Sequence, residues 1–201
     1  LRSTGLYLNY LGFYNDKEPF DNPALRRAVS LAIDRKQLTE KLFREASVEA
    51  GGPLPPGVLG YDPDIRPLPY DPVGAREILA GQDLARDLKI TIITYTNQRP
   101  YNPAGGQKLA EAIQADLAAV GIETEIKAYP WDEFKEALLK EEGNAFLYGW
   151  ISDNGDPDNF LYTLLSSAQI ESGLNTARYR NREVDLLLAR AQQSTDRSLR
   201  E

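Results

Sequence analysis

Apolar positions in the first third of the chain follow one strand-like pattern and two helix-like ones. Residues 6–13 are aromatic and aliphatic over too short a stretch for a helix, which predicts a largely buried strand. Asn22 then supplies an N-cap before Pro23, and helically spaced apolar residues follow at Leu25, Ala28, Val29 and Ala32. A second helix is predicted over residues 34–46, with one apolar face formed by Leu38, Leu42 and Phe43.

Proline dominates the next segment, residues 51–72. Proline removes a backbone donor and clashes in helix interiors, so this segment is neither a regular helix nor a central strand. The prolines within it are Pro53, Pro55, Pro56, Pro63, Pro67 and Pro69. We therefore expect a long ordered loop, followed by a short helix over residues 72–79 that Asp71 starts.

Strand and helix patterns alternate most clearly between residues 88 and 151. Strands are predicted over 88–96, 122–129 and 145–151, and helices over 107–120 and 132–140, with Gly121 suited to end the first of these helices. Helical crossovers of this kind connect parallel strands. The fold class is therefore α/β, or mixed α+β, with a sheet that is parallel at least in part. Two further helical patterns follow, at residues 159–165 and 186–191.

Composition narrows the functional classes. The 201 residues are 42% hydrophobic, enough for the core of one domain, and the formal net charge is -7. That charge repels phosphate backbones and anionic lipid headgroups, so we expect no nucleic-acid partner. The longest apolar stretches fall far short of the ~20 residues that a membrane span needs.

The chain contains no cysteine and no histidine. Disulfides, thiolate nucleophiles, imidazole metal ligands and Ser-His-Asp triads are therefore all excluded from this chain. Asp153, Asp156 and Asp158 invite a calcium hypothesis, but the fifth position counted from Asp156 is Phe160, which does not fit an EF-hand loop. A carboxylate-dependent hydrolase is a second alternative, although no pair of acidic residues stands out. We expect a binding protein with no catalytic residues, no metal site and no cofactor.

Several sequence blocks, in their order and spacing, resemble the periplasmic oligopeptide- and dipeptide-binding proteins of ABC importers, the bacterial extracellular solute-binding proteins of family 5. The resemblance runs nearly end to end, and the ordered set is more specific than any single block. The blocks are EPFDNPALRRA from Glu18, AIDR from Ala32, PLPPG from Pro53, YDP from Tyr70, ADL from Ala115 followed by Gly121-Ile122, and GWISDNGDPDNF from Gly149.

The resemblance implies that residues 1–201 are the second, C-terminal lobe of a longer two-lobed protein. The partners that it implies are the missing N-terminal lobe, a short peptide ligand and an ABC permease in the membrane. The location that it implies is the periplasm or the outer face of the cell membrane, with or without a lipid anchor. The first residues lack the features of a signal peptide, so we expect the chain to start within mature sequence or to be cut from a longer sequence. Relatives of this fold also bind longer peptides, glutathione, nickel chelates or other solutes, which remain alternatives.

Within the family, the dipeptide binders match best, through the segment RPYNP that starts at Arg99. The resemblance assigns Arg99 to the ligand's carboxylate and Asp153 to its α-ammonium. It also places Trp150 beside the ligand, and the extended backbone from Gly149 to Ile151 in hydrogen-bonding reach of the peptide. Tyr101 is a further candidate for ligand contact.

Elementary chemistry agrees with the two charged assignments. Arg99 and Asp153 each follow a predicted strand, and ligands of open α/β sheets collect beyond the carboxyl ends of strands. A guanidinium can hold a carboxylate with two parallel hydrogen bonds, and a carboxylate suits an ammonium group. The ordinary alternatives are a surface ion pair for Arg99, a turn or helix cap for Asp153, and core packing for Trp150.

Overall fold

The computed structural model describes residues 5–43, 47–82 and 88–200. The strands are β1 (Tyr7–Phe13), β2 (Lys89–Tyr95), β3 (Glu123–Tyr129) and β4 (Ala145–Ile151). The α-helices are α1 (Pro23–Ala32), α2 (Arg35–Leu38), α3 (Pro72–Ala80), α4 (Gly106–Ala119), α5 (Trp131–Leu139), α6 (Asp158–Leu165), α7 (Arg182–Gln192) and α8 (Arg197–Arg200). A π-helical turn, Thr39–Phe43, follows α2, and a 3-10 turn, Ser167–Gln169, follows α6.

Local sequence signals start and stop the helices as predicted. Asn22 Oδ1 accepts a hydrogen bond from the Ala24 N–H at 2.9 Å, and Asp71 Oδ1 accepts one from the Gly74 N–H at 2.8 Å. Gly121, with φ of 86°, follows the end of α4. Residues 51–71, nearly all of the predicted proline-rich loop, contain no helix or strand.

The predicted helix over residues 34–46 is partly wrong. Only Arg35–Leu38 is α-helical, and the chain then continues as the π-helical turn. Residues 44–46, the predicted end of this helix, lie outside the described residues. Leu38, Leu42 and Phe43 still pack against the core as partly buried side chains, so the apolar face was identified correctly although the helix type was not.

The four strands form one mixed sheet in the order β1-β4-β2-β3. Strand β2 is parallel to both of its neighbours, whereas β1 is antiparallel to β4, with Tyr7 opposite Ile151 and Phe13 opposite Ala145. This arrangement confirms the mixed fold class. The ladder between β2 and β4 joins only Ile92 to Ala145 and Ile93 to Phe146, so the carboxyl-terminal halves of these strands do not pair with each other.

Side chains alternate between two cores on opposite faces of the sheet, as the period of a strand requires. One core packs Ile90 and Ile92 of β2 against α1, α3 and α4. The other is largely aromatic and packs Ile93 and Tyr95 against Phe134 of α5. Among the described residues, none of the helices is long and apolar enough to cross a membrane.

Candidate functional site

Three parallel strands, β4, β2 and β3, end at the same edge of the sheet. Asp153 follows β4, Arg99 follows β2, and Trp131 follows β3 as the first residue of α5. Strand direction alone therefore brings an acid, a base and an indole to one edge. This is where ligands of open α/β sheets bind.

A tight backbone turn holds Arg99 close to the end of β2. The Arg99 N–H donates to the Asn102 carbonyl at 3.1 Å, and the Asn102 N–H donates back to the Arg99 carbonyl at 2.8 Å. The fully buried Asn102 also donates from Nδ2 to the Tyr95 hydroxyl at 3.0 Å. The turn is thus fastened to the last residue of β2 through one buried side chain.

The Arg99 guanidinium stacks on the ring of Trp131, with Cζ 3.7 Å from the ring centroid. This distance is well within the range of a cation–π contact. Its Nε is buried and has no hydrogen-bond partner in the described part of the chain. Among those residues no carboxylate forms a salt bridge with Arg99. The ordinary surface ion pair therefore does not explain this arginine.

Tyrosine hydroxyls supply the polar surroundings of Arg99. Burial raises the pKa of Tyr95 to about 12, against the lowering effects of its hydrogen bonds and of the nearby Arg99 charge. Burial also raises the pKa values of Tyr101 and Tyr148, and the Arg99 charge again opposes the rise. All three phenols are therefore neutral at physiological pH. The guanidinium has polar neighbours but no compensating negative charge among them.

Trp131 is the site residue that the sequence analysis missed. Its ring packs against Tyr95, Phe134 and Tyr148 at centroid distances of 5.7, 5.7 and 6.0 Å. The rule that pointed to Arg99 and Asp153 also applied here, because Trp131 lies just beyond a predicted strand. The sequence predicts the start of this helix at residue 132, one residue after its start in the structure.

Asp153 lies exposed in the loop between β4 and α6. Neighbouring side chains stabilise this loop with hydrogen bonds to its backbone. Ser152 Oγ accepts from the Gly155 N–H at 2.9 Å, and Asn154 Oδ1 accepts from the Asp156 N–H at 3.0 Å. Asp156 Oδ1 in turn accepts from the Asp158 N–H at 2.9 Å at the start of α6. No hydrogen bond or ion pair joins the Asp153 carboxylate to another described residue. The capping role considered for Asp153 belongs to these neighbours.

Trp150 is partly buried, and its Nε1–H donates to Asn159 Oδ1 of α6 at 2.9 Å. This bond fixes the indole between β4 and the helix after the Asp153 loop. Ile151 is the last residue of β4 and packs partly buried against the aromatic core. The side chain of Trp150 thus has a structural contact, while its role beside a ligand stays a prediction.

Tyr101 is only 8% exposed and packs edge-on against Tyr95, with ring centroids 6.1 Å apart. Its ring lies directly over Gly149, where any side chain atom would overlap it. The space beyond the end of the β2–β4 ladder is therefore filled by Tyr101. Tyr101 therefore packs beneath the Arg99 turn as a buried side chain. Direct contact between Tyr101 and a ligand stays a prediction.

A large open groove of about 1780 Å³ runs along the edge strand β1. Its walls include residues of β1, the start of the proline-rich loop, and Pro100 and Tyr101. Neither Arg99 nor Asp153 lines it. The groove therefore borders the candidate site through the Arg99 turn but is not the site itself.

The geometry suits a molecule with one anionic and one cationic end. A guanidinium held by its face keeps its in-plane N–H groups available for a carboxylate. The Asp153 carboxylate can accept hydrogen bonds from an ammonium group. These features make the carboxyl edge of the mixed sheet the candidate site for a small zwitterion.

Most of the chain matches one known protein family. Residues 1–172 match the family model of bacterial extracellular solute-binding proteins, family 5, middle region. The chain belongs to this family of solute-binding proteins.

Individual relatives show which members it resembles. It is 37% identical over its whole length to di/tripeptide-binding protein 2 of Pseudomonas aeruginosa, and 37% identical over 95% of its length to heme-binding protein A of Haemophilus influenzae. The crystal structure of a dipeptide-binding protein from Pseudoalteromonas sp. SM9913 in complex with Met-Leu superposes on the whole chain with a TM-score of 0.93 and 33% identity.

The chain spans little more than a third of these proteins: 37% and 35% of the two relatives and 39% of the crystal structure. The match confirms the fold as a lobe of the kind found in periplasmic binding proteins.

Proposed function

We propose that this chain is one ligand-binding lobe of a solute-binding protein that captures short peptides, dipeptides above all, and delivers them to an ABC permease. The full-length protein acts in the periplasm or at the outer face of the cell membrane. Residues 1–201 form the C-terminal of its two lobes, and the remainder of the polypeptide supplies the other. Arg99 holds the peptide's carboxylate and Asp153 holds its α-ammonium.

The observation that carries this proposal is the unpaired charge at the sheet edge. Arg99 is half-buried and stacked on Trp131, yet no acidic residue in the described ranges neutralises it. Asp153, beyond the neighbouring parallel strand, also lacks a partner in the described ranges. Burying a charge is favourable only when it is paired, so a site that closes over both groups needs a ligand with both opposite charges.

The names of the relatives support a peptide as that ligand. A di/tripeptide binder and a dipeptide complex are among the most similar proteins, although a heme-binding protein is equally identical. This chain contains no histidine, cysteine or methionine, so among the usual heme-iron ligands it offers only tyrosine. A free dipeptide satisfies both charged groups without further requirements.

Capture proceeds by closure of the two lobes around the peptide. Closure excludes water from the Arg99–carboxylate and Asp153–ammonium pairs, and each charge-assisted pair then contributes roughly 1.5–3 kcal/mol. The extended backbone from Gly149 to Ile151 adds hydrogen bonds that do not depend on the peptide's side chains. No covalent bond is made or broken.

The test measures each charged end separately in the full-length protein. Arg99→Ala should weaken a free dipeptide far more than the same dipeptide amidated at its C-terminus, because the amide has already lost the anion. Asp153→Asn should weaken a dipeptide with a free amino terminus far more than its N-acetylated form. Calorimetry on these pairs gives coupling energies, which we expect to exceed about 1 kcal/mol for matched changes and to be near zero for crossed ones.

Two surface residues provide matched controls. Arg27→Ala on α1 and Asp21→Asn before it change exposed groups of the same types outside the site, and should leave affinity unchanged. Equal loss of free and amidated dipeptide in Arg99→Ala would show that Arg99 does not read the carboxylate. A panel of dipeptides, tripeptides, pentapeptides and heme on the wild type separates the dipeptide assignment from its alternatives.

A further inference from the structure

Arg99 differs from most ligand-binding arginines in what positions its side chain. Such a side chain is flexible, and an acidic neighbour is the usual means of orienting it. Here no acidic group in the described part of the chain does so, and Nε makes no hydrogen bond there. The guanidinium instead stacks on Trp131, with Cζ 3.7 Å from the ring centroid.

Trp131 is itself fixed from several directions. Tyr95 at the end of β2 meets its ring nearly edge-on, at an interplanar angle of 75°. Phe134, one turn further along α5, and Tyr148 of β4 pack against it at tilted angles of 38° and 39°. The indole is therefore held in place by the aromatic core, and the guanidinium stacks on its face.

The backbone of Arg99 is fixed to the same core. Asn102 pairs with Arg99 through two backbone hydrogen bonds, and its side chain donates to the Tyr95 hydroxyl at 3.0 Å. Tyr95 thus supports both the turn that carries Arg99 and the ring on which its side chain rests. The main chain and the side chain of Arg99 are therefore both positioned by contacts to Tyr95 at the end of β2.

We propose that Trp131 is a positioning residue that orients Arg99 for the ligand's carboxylate. A cation–π stack uses the face of the guanidinium and leaves its in-plane donors for a bidentate contact. An aspartate or glutamate in the same place would occupy those donors and neutralise the charge. Stacking therefore gives a preorganised cation that keeps its full charge for the peptide's carboxylate. This inference rests on the proposed role of Arg99.

The test compares Trp131→Met and Trp131→Phe in the full-length protein, using Ala-Ala and its C-terminal amide as probes in calorimetry. Methionine keeps the apolar bulk without an aromatic face, so affinity for the free dipeptide should fall about tenfold while the amide changes by less than about twofold. Phenylalanine keeps a weaker aromatic face and should cost the free dipeptide only about threefold. In an Arg99→Ala background, neither substitution should weaken binding further.

Tyr129→Leu is the matched control for loss of an aromatic ring. Tyr129 ends the strand that leads to Trp131, and its hydroxyl donates to Glu142 Oε2 at 2.9 Å. It should bind both probes as the wild type does. If Trp131→Met does not fold, Trp131→Phe decides alone, since a selective loss for the free dipeptide is still expected.

Equal losses for both probes, no loss for either, or a loss that persists without Arg99 would overturn the positioning role. Those results would leave the proposed function intact if Arg99→Ala still discriminates between the free and amidated probes. If Arg99→Ala weakens both probes equally, or if the wild type binds neither, the proposed function fails first. The two failures are therefore distinguishable in one set of measurements.

Discussion

At the scale of single residues, the candidate site depends on a glycine, Gly149, because a side chain at this position would overlap the ring of Tyr101. Gly149 lies in β4 beyond the end of the β2–β4 ladder, and the ring of Tyr101 occupies the space where a Cβ would stand. Tyr101 is buried there and contacts Tyr95. Because Tyr101 belongs to the Arg99 turn, the glycine lets that turn pack closely on the strand.

Gly149→Ala should therefore destabilise the protein by about 1–3 kcal/mol, the range for overpacking a filled core. Adding Tyr101→Ala should offset part of this loss, giving a double mutant less unstable than the sum of the single mutants. Urea unfolding of the four proteins in the cycle measures the coupling. The control is Gly52→Ala, where the nearest atom to a new Cβ is Ile65 Cγ2 at 3.9 Å. Strict additivity would contradict the close packing described here.

At the scale of elements, a carboxylate ties α7 to the turn after α6. Asp185 accepts hydrogen bonds from the Ser167 N–H at 2.8 Å and from the Ser167 hydroxyl at 2.6 Å. The hydrogen bonds from Ser167 lower the pKa of Asp185 below its usual range. A second hydrogen bond, from Gln192 of α7 to Asp158 at the start of α6, joins the same two helices. Helix α6 follows the Asp153 loop, so this bond also ties the end of that loop to α7.

Asp185→Ala should lower the free energy of unfolding by about 1 kcal/mol at pH 7, a value reduced by the partial exposure of the carboxylate. A lowered pKa in the folded state means that the charged form stabilises the fold above the ordinary pKa of about 3.9. The difference between mutant and wild type should therefore shrink as the pH falls from about 5 towards 2. Glu183→Ala, an exposed neighbour in α7, is the control, and a difference that does not depend on pH would contradict the linkage.

At the scale of the whole molecule, the aromatic core behind the site is rich in buried phenols. Tyr14 and Tyr95 are fully buried and Tyr101 nearly so. Burial is the largest cause that raises the pKa of each of the three, to about 12 in the case of Tyr95. The fold therefore depends on these hydroxyls staying protonated.

The protein should lose stability steeply above about pH 10, the ordinary pKa of tyrosine. A raised pKa in the folded state means that the stabilisation is complete below pH 10 and is lost as the unfolded chain gains phenolates that the core excludes. Each such tyrosine then costs up to about 1.4 kcal/mol per pH unit. Phenolate absorbance and far-ultraviolet circular dichroism, followed together in an alkaline titration, should show these last tyrosines ionising only as the helices unfold. Complete ionisation with intact circular dichroism would refute this.

Much of the fold was predictable from sequence because its signals are local. The caps at Asn22 and Asp71, the stop at Gly121 and the alternation through β2 depend on neighbours within a few residues. The one marked error, the helix over residues 34–46, shows the limit: a helical apolar pattern does not distinguish an α-helix from a π-helical turn when both bury the same face.

For the candidate site, the sequence determined which residues follow the strands, and so predicted Arg99 and Asp153 just beyond the carboxyl ends of two strands. Only the tertiary structure decided that Arg99 rests on Trp131 and that Tyr101 fills the space above Gly149. The first contact joins residues that follow β2 and β3, and the second packs the Arg99 turn on β4 beyond the point where the β2–β4 ladder ends. No periodicity encodes that endpoint, because it is set by the packing of side chains that are distant in the sequence.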